Sequence, residues 1–92
     1  MEPTELCQEC YSRLVATNIL DRYDIQALKL LEKGTKNVRE LRATMKISQV
    51  IMTRVLAKLV GALAVSFTVE GRSSVYQLTT GGTKLLQLIS RG

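Results

Sequence analysis

Two sets of side chains in this sequence can do chemistry. The first is Cys7 and Cys10, spaced Cys-x-x-Cys and the only two cysteines in the chain. Three readings fit that spacing: part of a tetrahedral zinc site, a disulfide or thiol switch, or a pair of small buried apolar groups with no reaction to perform. A zinc ion needs four ligands, so only two chains together could complete an all-cysteine site. A disulfide between two chains would staple a dimer whose core is small. The second set is basic and comprises Lys36, Arg39, Arg42, Lys46, Arg54, Lys58 and Arg72. Ammonium and guanidinium groups at that density neutralise phosphates and form the electrostatic footprint of a nucleic-acid-binding surface.

What is missing narrows the chemistry further. The chain has no His, which removes the Ser-His-Asp and Cys-His arrangements and every His-containing zinc site. No Gly-rich phosphate loop of the GxGxxG or GxxxxGK[ST] type occurs. Neither catalysis nor a cofactor or resident metal is expected. The longest stretches free of charge, Leu59 to Val69 and Ser73 to Thr83, hold 11 residues each, against roughly 20 for a membrane-spanning helix. Met1 to Glu9 carry three acids and no base, the reverse of a secretory leader. The expectation is a soluble protein, kept in the cytoplasm, with no membrane partner.

The basic residues are not spread evenly. Residues 1–32 hold three bases against six acids, net −3, whereas residues 33–92 hold ten against two, net +8. The division matches a change in pattern. Leu6, Cys7, Cys10, Tyr11, Leu14, Val15 and Ile19 recur at helical spacing and predict an amphipathic helix from about Glu5 to about Ile19, with Pro3 and Thr4 as start signals. A second helix should run from near Asp24 to a stop at Gly34, followed by a loop at Thr35 and Lys36. Asn37 with Glu40 reads as a capping box for a third helix ending near Thr44. After the link Met45-Lys46-Ile47, Ser48 caps a fourth that closes near Gly61, and the pair forms a helix-turn-helix. The period then shifts toward two, giving strands around Val65, Phe67 and Val69 and around Val75, Tyr76 and Leu78, with Glu70 to Ser74 as the connection. Thr79 or Thr80 caps a last helix. With 46% apolar but only 4% aromatic residues, the core is built from aliphatic side chains and would gain from dimerisation.

On the fourth helix, Met52, Val55, Leu56 and Leu59 fall within about 60° of one another and form its core face. Val50, Thr53, Arg54 and Ala57 lie opposite, and three of these four are small. Such a face can enter a major groove, with Val and Ala against thymine methyls and Arg forked onto guanine. Lys36, Arg39, Arg42 and Lys46 on the preceding helix and its ends are placed to meet phosphates, with Ser48, Gln49 and Lys58 beside them. Arg72 and Ser73 sit at the wing, where an arginine can enter a narrow minor groove.

Leu20 to about Leu86 resembles the winged helix-turn-helix domain of MarR-like transcription regulators. The resemblance is carried in order by Ile25-Gln-Ala-Leu28-Lys-Leu-Leu31, Val38-Arg-Glu-Leu41, Met52-Thr53-Arg54 with Leu59, Gly71-Arg72, and Tyr76-Gln-Leu78-Thr79-Thr-Gly-Gly82. The chain departs from that pattern in two places. Leu63, Ala64 and Val65 stand where the family usually has Gly and an apolar pair, and no counterpart of the long C-terminal helices of larger members occurs up to Gly92. The resemblance implies an α+β, mainly α fold: an N-terminal helix (residues 1–20, for dimerisation), then a winged helix-turn-helix (residues 21–92) with a three-helix core, a two-stranded wing hairpin and a C-terminal helix. It implies a homodimer on double-stranded DNA, each recognition helix in a major groove and each wing in a minor groove. Dimer contacts are expected from Leu6, Cys7, Cys10, Tyr11 and Leu14 together with Leu85, Leu88 and Ile89; no small-molecule effector is inferred. A winged-helix protein-interaction or architectural module with non-specific DNA affinity is the alternative. A thioredoxin-like redox function is disfavoured, because no strand precedes the cysteine motif.

Overall fold

In the computed structural model, which describes residues 6–17 and 19–91, eight elements follow one another. They are α1 (Gln8–Ala16), α2 (Arg22–Glu32), β1 (Lys36–Asn37), α3 (Val38–Met45), α4 (Gln49–Gly61), β2 (Val65–Glu70), β3 (Ser73–Leu78) and α5 (Thr80–Arg91). The expected mainly helical α+β architecture is present, with one strand more than the sequence suggested.

Side-chain caps set most of the helix starts. Asn37 and Glu40 form the expected capping box on α3, and the Ser48 side chain accepts from the Ile51 N–H at the start of α4. Thr79 caps α5, its Oγ1 accepting from the Gly82 N–H at 3.1 Å. Two expected boundaries move. Helix α2 starts earlier, because Asp21 is its N-cap and Asp24 is the reciprocal third residue of a second capping box. Helix α1 is shorter than the predicted span, with Cys7 as N-cap and Thr17 as C-cap, where the Thr17 hydroxyl donates back to the Arg13 carbonyl at 2.7 Å. Pro3, Thr4 and Glu5 lie outside the described residues.

The core forms where α2 meets α3, α4 and α5. Met52, Val55, Leu56 and Leu59 are buried, together with Ala27, Leu28, Leu31, Leu41, Met45 and Leu85. At the far end of α4 the Leu63 N–H donates to the Val60 carbonyl and the Ala64 N–H to that of Leu59, the paired bonds of a Schellman stop. Leu63 therefore takes the left-handed position, at φ 59°, that glycine usually fills. Gly82 packs directly beneath this stop, since a methyl group there would overlap the Ala64 carbonyl oxygen and the Leu78 side chain.

The sheet has strand order β1-β3-β2 and is antiparallel throughout. Lys36 pairs with Tyr76 and Asn37 with Val75, so the loop expected at Lys36 is a two-residue strand, too short to show a period of two. The wing turn is also tighter than expected. Glu70, Ser73 and Ser74 belong to the strands, and only Gly71 and Arg72 connect them. Gly71 at φ 62° supplies the positive φ that a two-residue hairpin requires. β2 is an edge strand; on it Phe67 and Val69 are exposed, and Phe67 stays in ring contact with Tyr76 at 5.5 Å.

Candidate nucleic-acid interface

The outward face of α4 is assembled as the spacing predicts. Thr53, Arg54 and Ala57 are exposed, and Val50 is 69% exposed, uncovered by any apolar side chain among the described residues. The small side chains leave the α4 backbone open to close approach from outside, and Arg54 is the charged group among them.

Beside the first turn of α4 lies a groove of about 520 Å³, bounded by the start of α3 and the wing. Arg39, Arg42, Gln49, Arg72 and Ser73 are among its lining residues, and no carboxylate is. Three arginines, two from α3 and one from the wing turn, thus converge on one concavity. Arg42 is also oriented, since its Nη1 donates to Gln49 Oε1 at 3.0 Å, which ties α3 to the start of α4. Lys46 forms the exposed turn between the two helices in the left-handed conformation at φ 55°. Lys36 lies half-buried on β1. Ser48 is exposed and occupied as the α4 cap.

Lys58 departs from the expected set. Its Nζ lies 2.8 Å from Oδ2 of the fully buried Asp24 and donates to the Ile19 carbonyl at 3.2 Å. Its charge faces the protein interior and pins the last turns of α4 to the start of α2. Sequence reasoning missed this pair. The Asp21-x-x-Asp24 spacing signals the capping box, but no sequence signal marks the contact with Lys58, 34 positions away. The same cap holds the Asp21 carboxyl below its ordinary value, chiefly through the hydrogen bond from the Asp24 N–H, with the Lys58 charge adding to the effect against a cost of burial.

The expected dimer residues also divide. Tyr11 is fully buried in the chain's own core, where its hydroxyl donates to the Ala62 carbonyl at 3.1 Å and accepts from the Leu6 N–H at 2.9 Å. Leu85 is likewise fully buried. Neither is at the surface, so both leave the expected dimer set: the small aliphatic core uses the most inward residue of each amphipathic helix. Leu6, Leu14, Leu88 and Ile89 are half-buried. Cys7 and Cys10 are exposed rather than buried as apolar fillers, because α1 turns Tyr11, and not the cysteines, into the core.

No family model and no curated protein matches the sequence. Solved structures do match in fold. HlyU from Vibrio cholerae is 22% identical with a TM-score of 0.74, covering 94% of this chain and 96% of that one. A MarR mutant from E. coli in complex with operator DNA is 17% identical with a TM-score of 0.74, covering 91% of this chain and 63% of that one. The adhesin competence repressor AdcR from Streptococcus pyogenes is 20% identical with a TM-score of 0.71, covering 78% of this chain and 56% of that one. The chain thus spans about six-tenths of the length of the MarR and AdcR chains. Its fold is a MarR-like winged helix.

Proposed function

We propose that this chain is a sequence-specific, double-stranded-DNA-binding transcription regulator that acts as a homodimer inside the cell. The observation that carries the reading is the α4 face. It is exposed, small and uncharged apart from Arg54, and it is flanked by a groove into which Arg39, Arg42 and Arg72 converge. A solvent face on a basic protein has no need to keep Val50 and Ala57 uncovered, whereas a helix that reads base edges does. In this reading Val50, Thr53, Arg54 and Ala57 read bases, Arg39, Arg42 and Lys46 hold phosphates, and Arg72 enters the minor groove from the wing. The half-buried apolar residues Leu6, Leu14, Leu88 and Ile89 support self-association through α1 and α5. A twofold pair of α4 helices would meet half-sites about one DNA turn apart.

Selection from random duplexes across a salt series, with sequencing of the bound fraction, tests the specificity. An enriched pseudo-palindrome is expected, and salt-sensitive binding without enrichment would overturn it in favour of an architectural module. On the selected site Arg54→Ala should lose about 1–3 kcal/mol of binding that it does not lose on random DNA, while Arg42→Ala should weaken both and flatten the salt slope. Equal losses for the two would refute the division of roles. Sedimentation of the free protein should give twice the chain mass.

A further inference from the structure

Cys7 and Cys10 belong neither to the α4 face nor to the core. Cys7 is the N-cap of α1, and Cys10 stands three residues on in the first turn. Their sulfurs are 3.0 Å apart, and the Cys10 N–H donates to Cys7 Sγ at 3.4 Å. Both residues are exposed. Their proximity is built into the fold. The chain from Leu6 to Tyr11 is bracketed by one hydroxyl, which accepts from the Leu6 N–H and is anchored on the Ala62 carbonyl, so the segment between cannot spread. Fixing two groups side by side removes most of the entropy cost of joining them.

The two thiols are unequal. The Cys7 thiol is held below its ordinary range, chiefly by the hydrogen bond it shares with the Cys10 side chain, with the Cys10 N–H adding to this and burial opposing it. That same bond, with burial second, pushes the Cys10 thiol up. One sulfur is poised as the exposed nucleophile and the other as its proton-bearing neighbour. Metal ligation fits less well. The described residues contain no group of three His, Cys, Asp or Glu able to hold an ion, and the adjacent Glu9 is paired with Arg13 at 2.8 Å.

We propose that Cys7 and Cys10 are a redox-active dithiol, which low-molecular-weight disulfides of the glutathione type oxidise to an intrachain disulfide. The Cys7 thiolate attacks one sulfur of the small disulfide, breaking its S–S bond, forming a mixed disulfide and releasing one thiolate. Cys10 then gives its proton to solvent and attacks Cys7 Sγ. The mixed bond breaks and the second small thiolate leaves. The protein loses two electrons and two protons, and the oxidant leaves as two thiols. Closure needs the sulfurs to approach from 3.0 Å to a bond of about 2.05 Å, a shift the first turn of a helix can absorb.

The test uses the full chain incubated with glutathione disulfide at neutral pH, then acid-quenched, alkylated and weighed by mass spectrometry beside a non-reducing gel. The expected product is a monomeric band, lighter by two hydrogens and closed to alkylation. Cys10→Ser should stop at glutathione attached to Cys7, while Cys7→Ser should react at least about tenfold more slowly. Serine caps helices well, so both variants should keep the circular dichroism of the parent. A disulfide-linked pair of chains as the main product, a wild-type mixed disulfide that persists, or two thiols still open to alkylation would each overturn the proposal. None of these readouts depends on DNA, so the outcome is separate from that of the proposed regulator function.

Discussion

The two ends of α4 are built for opposite purposes. At the first end, Val50, Thr53 and Arg54 touch little of the protein, and the Ser48 cap, the Arg42 to Gln49 bond and the buried Met52 hold the turn beneath them. At the other end, Lys58 is clamped on Asp24, the Ala62 carbonyl is held by Tyr11, and Gly82 closes under the Schellman stop. A helix can present uncommitted side chains only if its orientation is settled elsewhere, and here it is settled within the last two turns. Two basic residues one turn apart, Arg54 and Lys58, illustrate the division, for the first faces solvent and the second faces a buried carboxylate.

The sharpest way to break this contrast is to exchange Lys58 for Met. Asp24 would remain fully buried without its countercharge, and a loss of about 3 kcal/mol is expected in urea unfolding. Arg54→Ala should stay within about 0.5 kcal/mol of the parent in the same experiment. Comparable losses for both would mean that the anchored end is not where stability resides. Next in size, Tyr11→Phe removes a hydroxyl that serves both Leu6 and Ala62 and should cost about 1.5 kcal/mol. The opposite sign is expected of Leu63→Gly. Relief of the left-handed leucine at φ 59° should raise stability by about 1 kcal/mol, visible as a higher urea midpoint at unchanged slope. The smallest effect concerns acid. The Asp21 carboxyl titrates lower in the folded chain than in the unfolded one. Its contribution is therefore complete above about 3.8 and disappears as the pH falls through the folded value. Asp21→Ser keeps a cap that does not titrate and should flatten the acid limb of a stability profile; an unchanged limb would show that other carboxylates govern it.

Much of this arrangement was legible in the residue order. Asn37 with Glu40 and Ser48 marked two helix starts, and the spacing of Met52, Val55, Leu56 and Leu59 separated the core face of α4 from the open one. Those signals are local and periodic. What escaped was carried by single long-range contacts. Nothing about Lys58 in sequence distinguishes an ammonium aimed at Asp24, 34 positions away, from one aimed at solvent. Tyr11 looked like one more member of an apolar stripe, yet it is the residue of α1 that reaches the end of α4. The cysteines were grouped with the same stripe because residues at the cap of a short helix lie outside its regular period. β1 was missed because pairing with Tyr76 and Val75, not any pattern in Lys36 and Asn37, makes it a strand.

The place of β2 at the sheet margin bears on how the protein behaves in a concentrated solution. Its open side presents a row of unsatisfied amides over Val65 to Glu70, where Glu70 is the sole charge and Phe67 and Val69 stand outward. Natural sheets commonly guard such margins with lysine, proline or a bulge. This one relies on the protein's net charge of +5, and a counterion that screens that charge removes much of the guard. Precipitation of the free chain should therefore quicken with ionic strength.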